Sequence, residues 1–384
     1  MTEIVFWQSM ISPHQAGLAQ ALADRPGLEV TYVATEAVRR SRAAMGWVEP
    51  SLGSAQLKLA ETGTEIAELA QSFGPDAIHL CQGFRGNGTI SHALPALARK
   101  GARMGVMMEA VDQRGKTGWL KKPLYRRQVK HFGGAVSFCL AISDEAGRFI
   151  AECGFRADRI YPFSYFLNPA PETAQRRKTA RQIVYVGRLI ALKRVDLLIE
   201  AFGALNLPDT TLSIIGSGPL RGELQALAHT QPNADAIEWL GTVSNEAAQQ
   251  VIANSDCLVL PSEYDGWGAV VTEALLAGTP AICSSACGAK AAVPHSGAGG
   301  VFASGDKVSL ERLIRLQLSD GPWAGSQRAN LRNWAQNALS AEAGAVYLEA
   351  IIASIGQTTA VPAAPWITPH GAEIPQKIKT FVTR

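Results

Sequence analysis

Residues 261–280, PSEYDGWGAVVTEALLAGTP, decide how this chain reads. They follow a short apolar run, CLVL at 257–260, which predicts a buried strand ended by Pro261. A glycine-punctuated turn then leads into a helical pattern beginning near Trp267. Strand, glycine turn and helix N-terminus together aim free backbone N–H groups and the positive end of a helix dipole at an anion. Asp265 precedes the turn and Glu273 follows it by eight residues. At ~1.5 Å rise per residue that separation spans roughly 12 Å, close to the distance between the polyol ends of a nucleotide sugar. Carboxylates accept hydrogen bonds from vicinal hydroxyls, and the amides between them suit a diphosphate. Taken alone, the segment reads equally well with Asp265 as a turn or N-cap residue and Glu273 as a solvated helix carboxylate.

A second segment adds to the first. Residues 182–193, QIVYVGRLIALK, and 194–202, RVDLLIEAF, read as a β-branched strand, a Gly-Arg turn and an amphipathic helix. Arg188 and Lys193 flank the turn. Fixed cations beside a diphosphate neutralise the charge that builds on it as its bond to a sugar breaks. Two basic residues alone are ordinarily surface charge. Both segments, in this order along one chain, argue for a shared site.

With these residues the sequence resembles the retaining glycosyltransferases of family 4, whose fold is GT-B. That family is marked by a VGR-x4-K turn and a later E-G-F-G-x4-E segment ending in EA-x3-G-x-P. Here the marks read Val186-Gly187-Arg188 with Lys193, then Asp265-Gly266-Trp267-Gly268 with Glu273, Ala274, Gly278 and Pro280. Between them stand Gly216-Ser217-Gly218-Pro219 and Leu240-Gly241-Thr242-Val243, similar to the family's GxGP and LGxV segments. The resemblance runs along nearly all of 182–284. Its departure is Asp265, where the family has glutamate. The side chain is one methylene shorter, which bears on donor identity or geometry. The resemblance implies an α/β chain of two doubly wound Rossmann-like domains facing a central cleft. It implies transfer of a sugar from a UDP- or GDP-linked donor to a hydroxyl of a saccharide or lipid-linked acceptor, as in bacterial cell-surface polysaccharide synthesis. Arg188, Lys193, Gly187 and the Gly266–Gly268 amides, Trp267 among them, would face the diphosphate. Asp265 would hold the sugar hydroxyls, Glu273 the ribose, and backbone near Val243 would border the base. The family's chemistry implies front-face departure and attack, with the diphosphate taking the acceptor's proton. No cofactor is implied. No D-x-D metal motif occurs, Glu263-Tyr264-Asp265 being the nearest approach, and metal independence is expected.

Composition fits. In 384 residues, 47% hydrophobic and only 18% charged, there is room for two ordinary domains with sizeable cores. No run of ~18 apolar residues predicts a transmembrane helix. The chain opens into a strand and carries Glu3, so a secretory signal is not expected and the location is read as cytoplasmic. Six cysteines lie in apolar contexts without a C-x2-C pair, which predicts buried reduced thiols. The histidines show no zinc spacing, and a net charge of +3 does not argue for nucleic acid. The 216–221 stretch is a poor dinucleotide fingerprint, with Pro219 in the turn and Arg221 at the third glycine position.

Strand and helix patterns alternate throughout, predicting parallel sheets covered on both faces. Strands are expected at 4–7, 28–34, 77–82, 103–109 and 135–143, then near 182–187, 211–216, 237–241, 257–260 and 280–284. Helices are expected at 65–73 and 91–100. Prolines near 166–172 suggest a first, acceptor-side domain over 1–168 and a nucleotide-sugar domain over 169–356, with 176–181 leading into its sheet. The resemblance implies that the last helix, near 341–355, crosses back toward the first domain, with 357–384 docked there. In the first half, Ser12 and His14 sit where donor phosphates would approach, while Ser12 equally suits the N-cap of a helix from Pro13. Glu109 ends a strand and reads either as an active-site group or as a solvated loop carboxylate. The run 141–160 also resembles the family.

Residues 113–131, QRGKTGWLKKPLYRRQVKH, hold seven Lys or Arg and no acid, interleaved with Trp119, Leu120, Leu124, Tyr125 and Val129. Such a helix can lie on an anionic membrane surface or grip a lipid-linked diphosphate, or else cover its own sheet. Two rival functions share this architecture: a nucleotide-sugar epimerase or phosphorylase, and a non-catalytic sugar-nucleotide or polysaccharide binding protein.

Overall fold

The computed structural model describes residues 1–38, 48–170, 181–319, 321, 323, 325–356 and 361–367. Within them the chain forms two compact units. The first takes the chain as far as Asn168 and then residues 341–365, and the second takes most of what lies between.

In the first unit the described strands are β1 (Thr2–Gln8), β2 (Leu28–Ala34), β3 (Gln56–Leu59), β4 (Ile78–Gln82), β5 (Arg103–Glu109), β6 (Val136–Ile142) and β7 (Ile160–Phe163). They form one sheet in the order β3-β2-β1-β4-β5-β6-β7, all parallel. Its helices are α1 (Pro13–Ala23), α2 (Gly63–Ser72), α3 (Ala93–Lys100), α4 (Gly118–Phe132) and α5 (Asp144–Glu152). Interior strand β1 has Ile4, Val5, Phe6 and Trp7 fully buried, as a strand covered on both faces requires. Thr62 and Glu65 start α2 with a reciprocal capping box. The helix expected at 91–100 opens as a 3-10 turn at Gly88–His92 before α3.

In the second unit the strands are β8 (Arg181–Val186), β9 (Thr210–Ile215), β10 (Ile237–Gly241), β11 (Cys257–Leu260), β12 (Ala281–Ser284) and β13 (Gly299–Phe302), in the parallel order β10-β9-β8-β11-β12-β13. Its helices are α6 (Val195–Leu205), α7 (Arg221–His229), α8 (Asn245–Ala253), α9 (Ala269–Leu276), α10 (Val293–Ser296), α11 (Lys307–Ser319) and α12 (Gly325–Leu339). Buried Arg328 on α12 donates to the carbonyls of Ala253 (3.1 Å) and Ser255 (2.5 Å), fixing the start of β11.

The last long helix, α13 (Ala341–Ser354), belongs to the first unit and packs along α1. Arg25 pairs there with Glu342 at 2.6 Å and also with Glu349. Gly344 lets α13 lie close on Phe166, just after β7: a Cβ on it would sit 2.4 Å from Phe166 Cγ. Of the tail, residues 361–365 group with the first unit and Trp366 with the second. The expectations for 176–180, 357–360 and 368–384 fall outside the described residues. Among the described residues, no helix is long and apolar enough to cross a membrane.

Candidate functional site

In a doubly wound sheet, ligands settle beyond the carboxyl ends of the strands where the strand order reverses. In the second unit that point lies between β8 and β11. The loop after β8 carries Gly187, Arg188 and Lys193, and the loop after β11 carries Asp265 to Gly268.

These loops are built by close backbone approach. A Cβ on Gly187 would sit 2.7 Å from the Tyr185 hydroxyl, which donates to the Arg188 carbonyl at 3.0 Å. Tyr185 is fully buried, and burial pushes its phenol far above the usual range, so it stays a donor. Gly216 after β9 has φ +137°, and a Cβ there would lie 1.8 Å from the Gly187 carbonyl oxygen. Leu189 N–H donates to the Ser217 carbonyl at 2.9 Å, and Glu263 N–H to the Leu192 carbonyl at 2.8 Å. The three loops therefore hold one another.

Across this frame Lys193 Nζ meets Asp265 Oδ2 at 2.5 Å, with the side chains 20% and 17% exposed. Asp265 is no N-cap. Its N–H donates to the Ala286 carbonyl and its own carbonyl accepts from Gly288, so the loop after β12 fixes its backbone. Gly268 caps α9 instead, at φ +93°, which favours glycine. Within the first turn, Val271 N–H returns to the Gly268 carbonyl at 2.8 Å. The remaining leading N–H groups have no intrahelical acceptor, the arrangement that suits an anion. Trp267 is buried, and its indole N–H donates to Thr272 Oγ1 at 2.9 Å, which pins the turn to the helix. Glu273, on the second turn of α9, is half-buried, and desolvation pushes its carboxyl up to about 7. It is thus not a freely solvated helix carboxylate. Arg188 is exposed, and Val243 is half-buried just past β10.

In the first unit, Ser12 is the N-cap of α1, its hydroxyl accepting from His14 N–H at 3.3 Å. The capping reading of Ser12 is therefore the one its geometry fits. His14 stacks on Tyr165, ring centroids 4.7 Å apart, and Tyr165 donates its phenol proton to the Glu109 carboxylate. The structure thus joins His14, after β1, to Glu109, at the end of β5, through an aromatic residue after β7. Tyr165 went unnoticed in the sequence. The available signal was a tyrosine just beyond a strand's carboxyl end, in Ser164-Tyr165-Phe166.

Two parallel Rossmann-like sheets with these strand orders define the GT-B glycosyltransferase fold. The comparisons with known proteins agree with that class. Residues 170–338 match the family model for glycosyl transferases group 1. An uncharacterized glycosyltransferase of Methanocaldococcus jannaschii is 33% identical over 116 residues, 30% of each chain. A glycogen synthase of Mycobacterium tuberculosis is 28% identical over 295 residues, 72% of this chain and 66% of that one. The chain thus spans less than two thirds of the length of these relatives. Among solved structures, Anabaena HepE in complex with UDP superposes with TM-score 0.68 at 15% identity, covering 92% of this chain and 99% of that one. The apo lipopolysaccharide outer core galactosyltransferase WaaB gives 0.65 at 17%, with the same coverage.

Proposed function

We propose that this protein is a retaining glycosyltransferase that moves a sugar from a nucleoside diphosphate to a hydroxyl of a saccharide or lipid-linked acceptor. The observation that carries the reading is the Lys193–Asp265 pair, set at the strand-order reversal beside the N-terminus of α9. Relatives support the donor class: a curated mannosyltransferase of Mycobacterium tuberculosis is GDP-mannose-dependent, and HepE is seen with UDP-glucose.

In this reading Arg188, Lys193 and the Gly266–Gly268 amides receive the diphosphate. Gly187 keeps the loop close to it, and Trp267 keeps the turn rigid. Asp265, held by Lys193, accepts hydrogen bonds from the sugar. Glu273 accepts them from the ribose, and backbone at Val243 borders the base. The anomeric C–O bond to the diphosphate breaks with its electrons leaving to the diphosphate oxygen. The acceptor oxygen forms the new C–O bond on the same face, and its proton passes to that oxygen. The two cations and the helix N-terminus stabilise the developing charge, several kcal/mol of effect in a partly water-excluded site. No metal is needed for this role, and a chelator should leave turnover intact. Glu109 serves as an active-site group, and Ser12 and His14 sit where the donor phosphates approach, His14 being tied to Glu109 through Tyr165.

The test is a panel of UDP- and GDP-sugars with saccharide acceptors, the anomeric configuration of the product read by NMR. Glycoside product with retained configuration supports the proposal. Release of epimer or sugar phosphate without acceptor, or tight donor binding with no turnover, would overturn it.

A further inference from the structure

Helix α4 has two faces of different character. Toward its own sheet it offers Val129, buried, and Tyr125, whose ring packs edge-on against Phe149 with centroids 5.1 Å apart. That face accounts for the sheet-covering reading of the segment. It does not account for Trp119, Leu120 and Leu124, which are 72%, 40% and 46% exposed. Leu120 and Leu124 are helical neighbours at i and i+4, and Trp119 and exposed Pro123 flank them on the same turns. The Trp119 indole N–H donates to the Lys116 carbonyl at 3.1 Å, so the ring can leave water with no unpaired donor.

The cations divide the same way. Arg114 and Lys121 turn to Asp112, and Lys122 pairs with Glu152 at 2.6 Å. Arg126 reaches the Glu152 carbonyl at 3.4 Å. Among the described residues Lys116, Arg127 and Lys130 form no salt bridge, and Arg127 and Lys130 continue the outward face of α4. The outer face is therefore an apolar tip rimmed by positive charge, without an acid anywhere in 113–131.

We propose that this face docks the protein on an anionic lipid bilayer. Trp119, Leu120 and Leu124 seat at the boundary between headgroups and acyl chains, and Lys116, Arg127 and Lys130 lie against the headgroup anions. A nucleic acid would use the cations and leave three large apolar side chains in water. A bilayer satisfies both parts of the face, and tryptophan is the residue that favours its interface. The binding does not depend on catalysis, so its failure leaves the transferase reading untouched.

The experiment is sedimentation of the full chain with vesicles of phosphatidylcholine alone or mixed with phosphatidylglycerol, at low and high salt. Binding should require the anionic lipid and weaken as salt shortens the screening length. Arg127→Gln should lower the partition coefficient about fivefold. The double variant Trp119→Ser, Leu124→Ser, its fold checked by circular dichroism, should lose most of the binding although every cation remains. Brominated lipid chains should quench a fluorescence component missing from Trp119→Phe. No sedimentation at low salt overturns the proposal. So does binding that survives the apolar double variant, or quenching identical in Trp119→Phe. Either result would mean that the charges grip a polyanion without insertion.

Discussion

Lys193 and Asp265 stand 72 residues apart in sequence and 2.5 Å apart in space. Each limits what the other can do. In the proposed site the ammonium would hold the carboxylate in place for hydroxyl groups, and the carboxylate would keep the ammonium beside the helix N-terminus. Lys193→Ala and Arg188→Ala should each lower kcat by ~10²–10³, the scale of removing one stabiliser of a developing anion. The unfolding temperature should barely move. Rates within severalfold of the parent in both variants would remove these cations from the chemistry. Asp265→Ala should leave affinity for the bare nucleoside diphosphate nearly unchanged and damage use of the intact donor. Glu273 is expected to behave differently, because the ribose is present with or without the sugar. As a carboxylate it accepts two hydroxyl protons, and as an acid it does so poorly. Since its carboxyl titrates near 7, nucleoside diphosphate affinity should fall as pH drops below about 7. Glu273→Gln should flatten that dependence in calorimetry. A parent profile flat from pH 6 to 8 would take Glu273 out of the ribose site.

At the scale of elements, the loops after β8, β9 and β11 act as one because backbone touches backbone. Gly216→Ala puts a Cβ against the Gly187 carbonyl at a φ that side chains rarely adopt. It should lower stability by about 1–3 kcal/mol and weaken donor binding with it. An unchanged melting temperature would mean that the loops tolerate separation. The loops after β8 and β11 were legible in the sequence because each lies within a few residues of a strand end and a helix start. Three strands were not legible: β3, β7 and β13. All three are sheet edges. QLKL is mostly exposed, IYPF contains Pro162, and GGVF opens with two glycines, so none shows the apolar run of a central strand. The Lys193–Asp265 contact and the Glu109–Tyr165–His14 chain were hidden for another reason. They join residues from separate strand ends, and periodicity carries no such information. Tyr165→Phe removes the phenol proton donated to Glu109. If that bond orients Glu109 for the acceptor, KM for the acceptor should rise several-fold while donor affinity stays. An unaltered acceptor KM would make the contact merely structural.

Over the whole molecule, two desolvated groups titrate in opposite senses. His79 is fully buried, its Nδ1 accepts from the Trp7 indole at 3.1 Å, and desolvation lowers its pKa from 6.5 to about 4. The unfolded chain therefore binds the extra proton first. Stability of the first unit should rise with pH between about 4 and 6.5, by at most about 3 kcal/mol, and level off above. Glu273 has its pKa raised from 4.5 to about 7. Its contribution to the second unit is present below 4.5 and is lost as pH rises through 7. His79→Gln should remove the acid-side slope from the unfolding profile, and Glu273→Gln the opposite one. Slopes unchanged in both variants would show that other groups set the pH response.

The six cysteines offer a different use of the fold. Cys81, Cys139 and Cys153 are sealed in the first unit, Cys257, Cys283 and Cys287 in the second, all as free thiols. None can meet a reagent until its own unit opens, so each thiol is a stopwatch for one half of the chain. Timed alkylation read by peptide mass should sort them into two groups of three, each with a common rate, and a nucleoside diphosphate should slow only the second group. The molecule would thereby report, without any added label, which half lets go first.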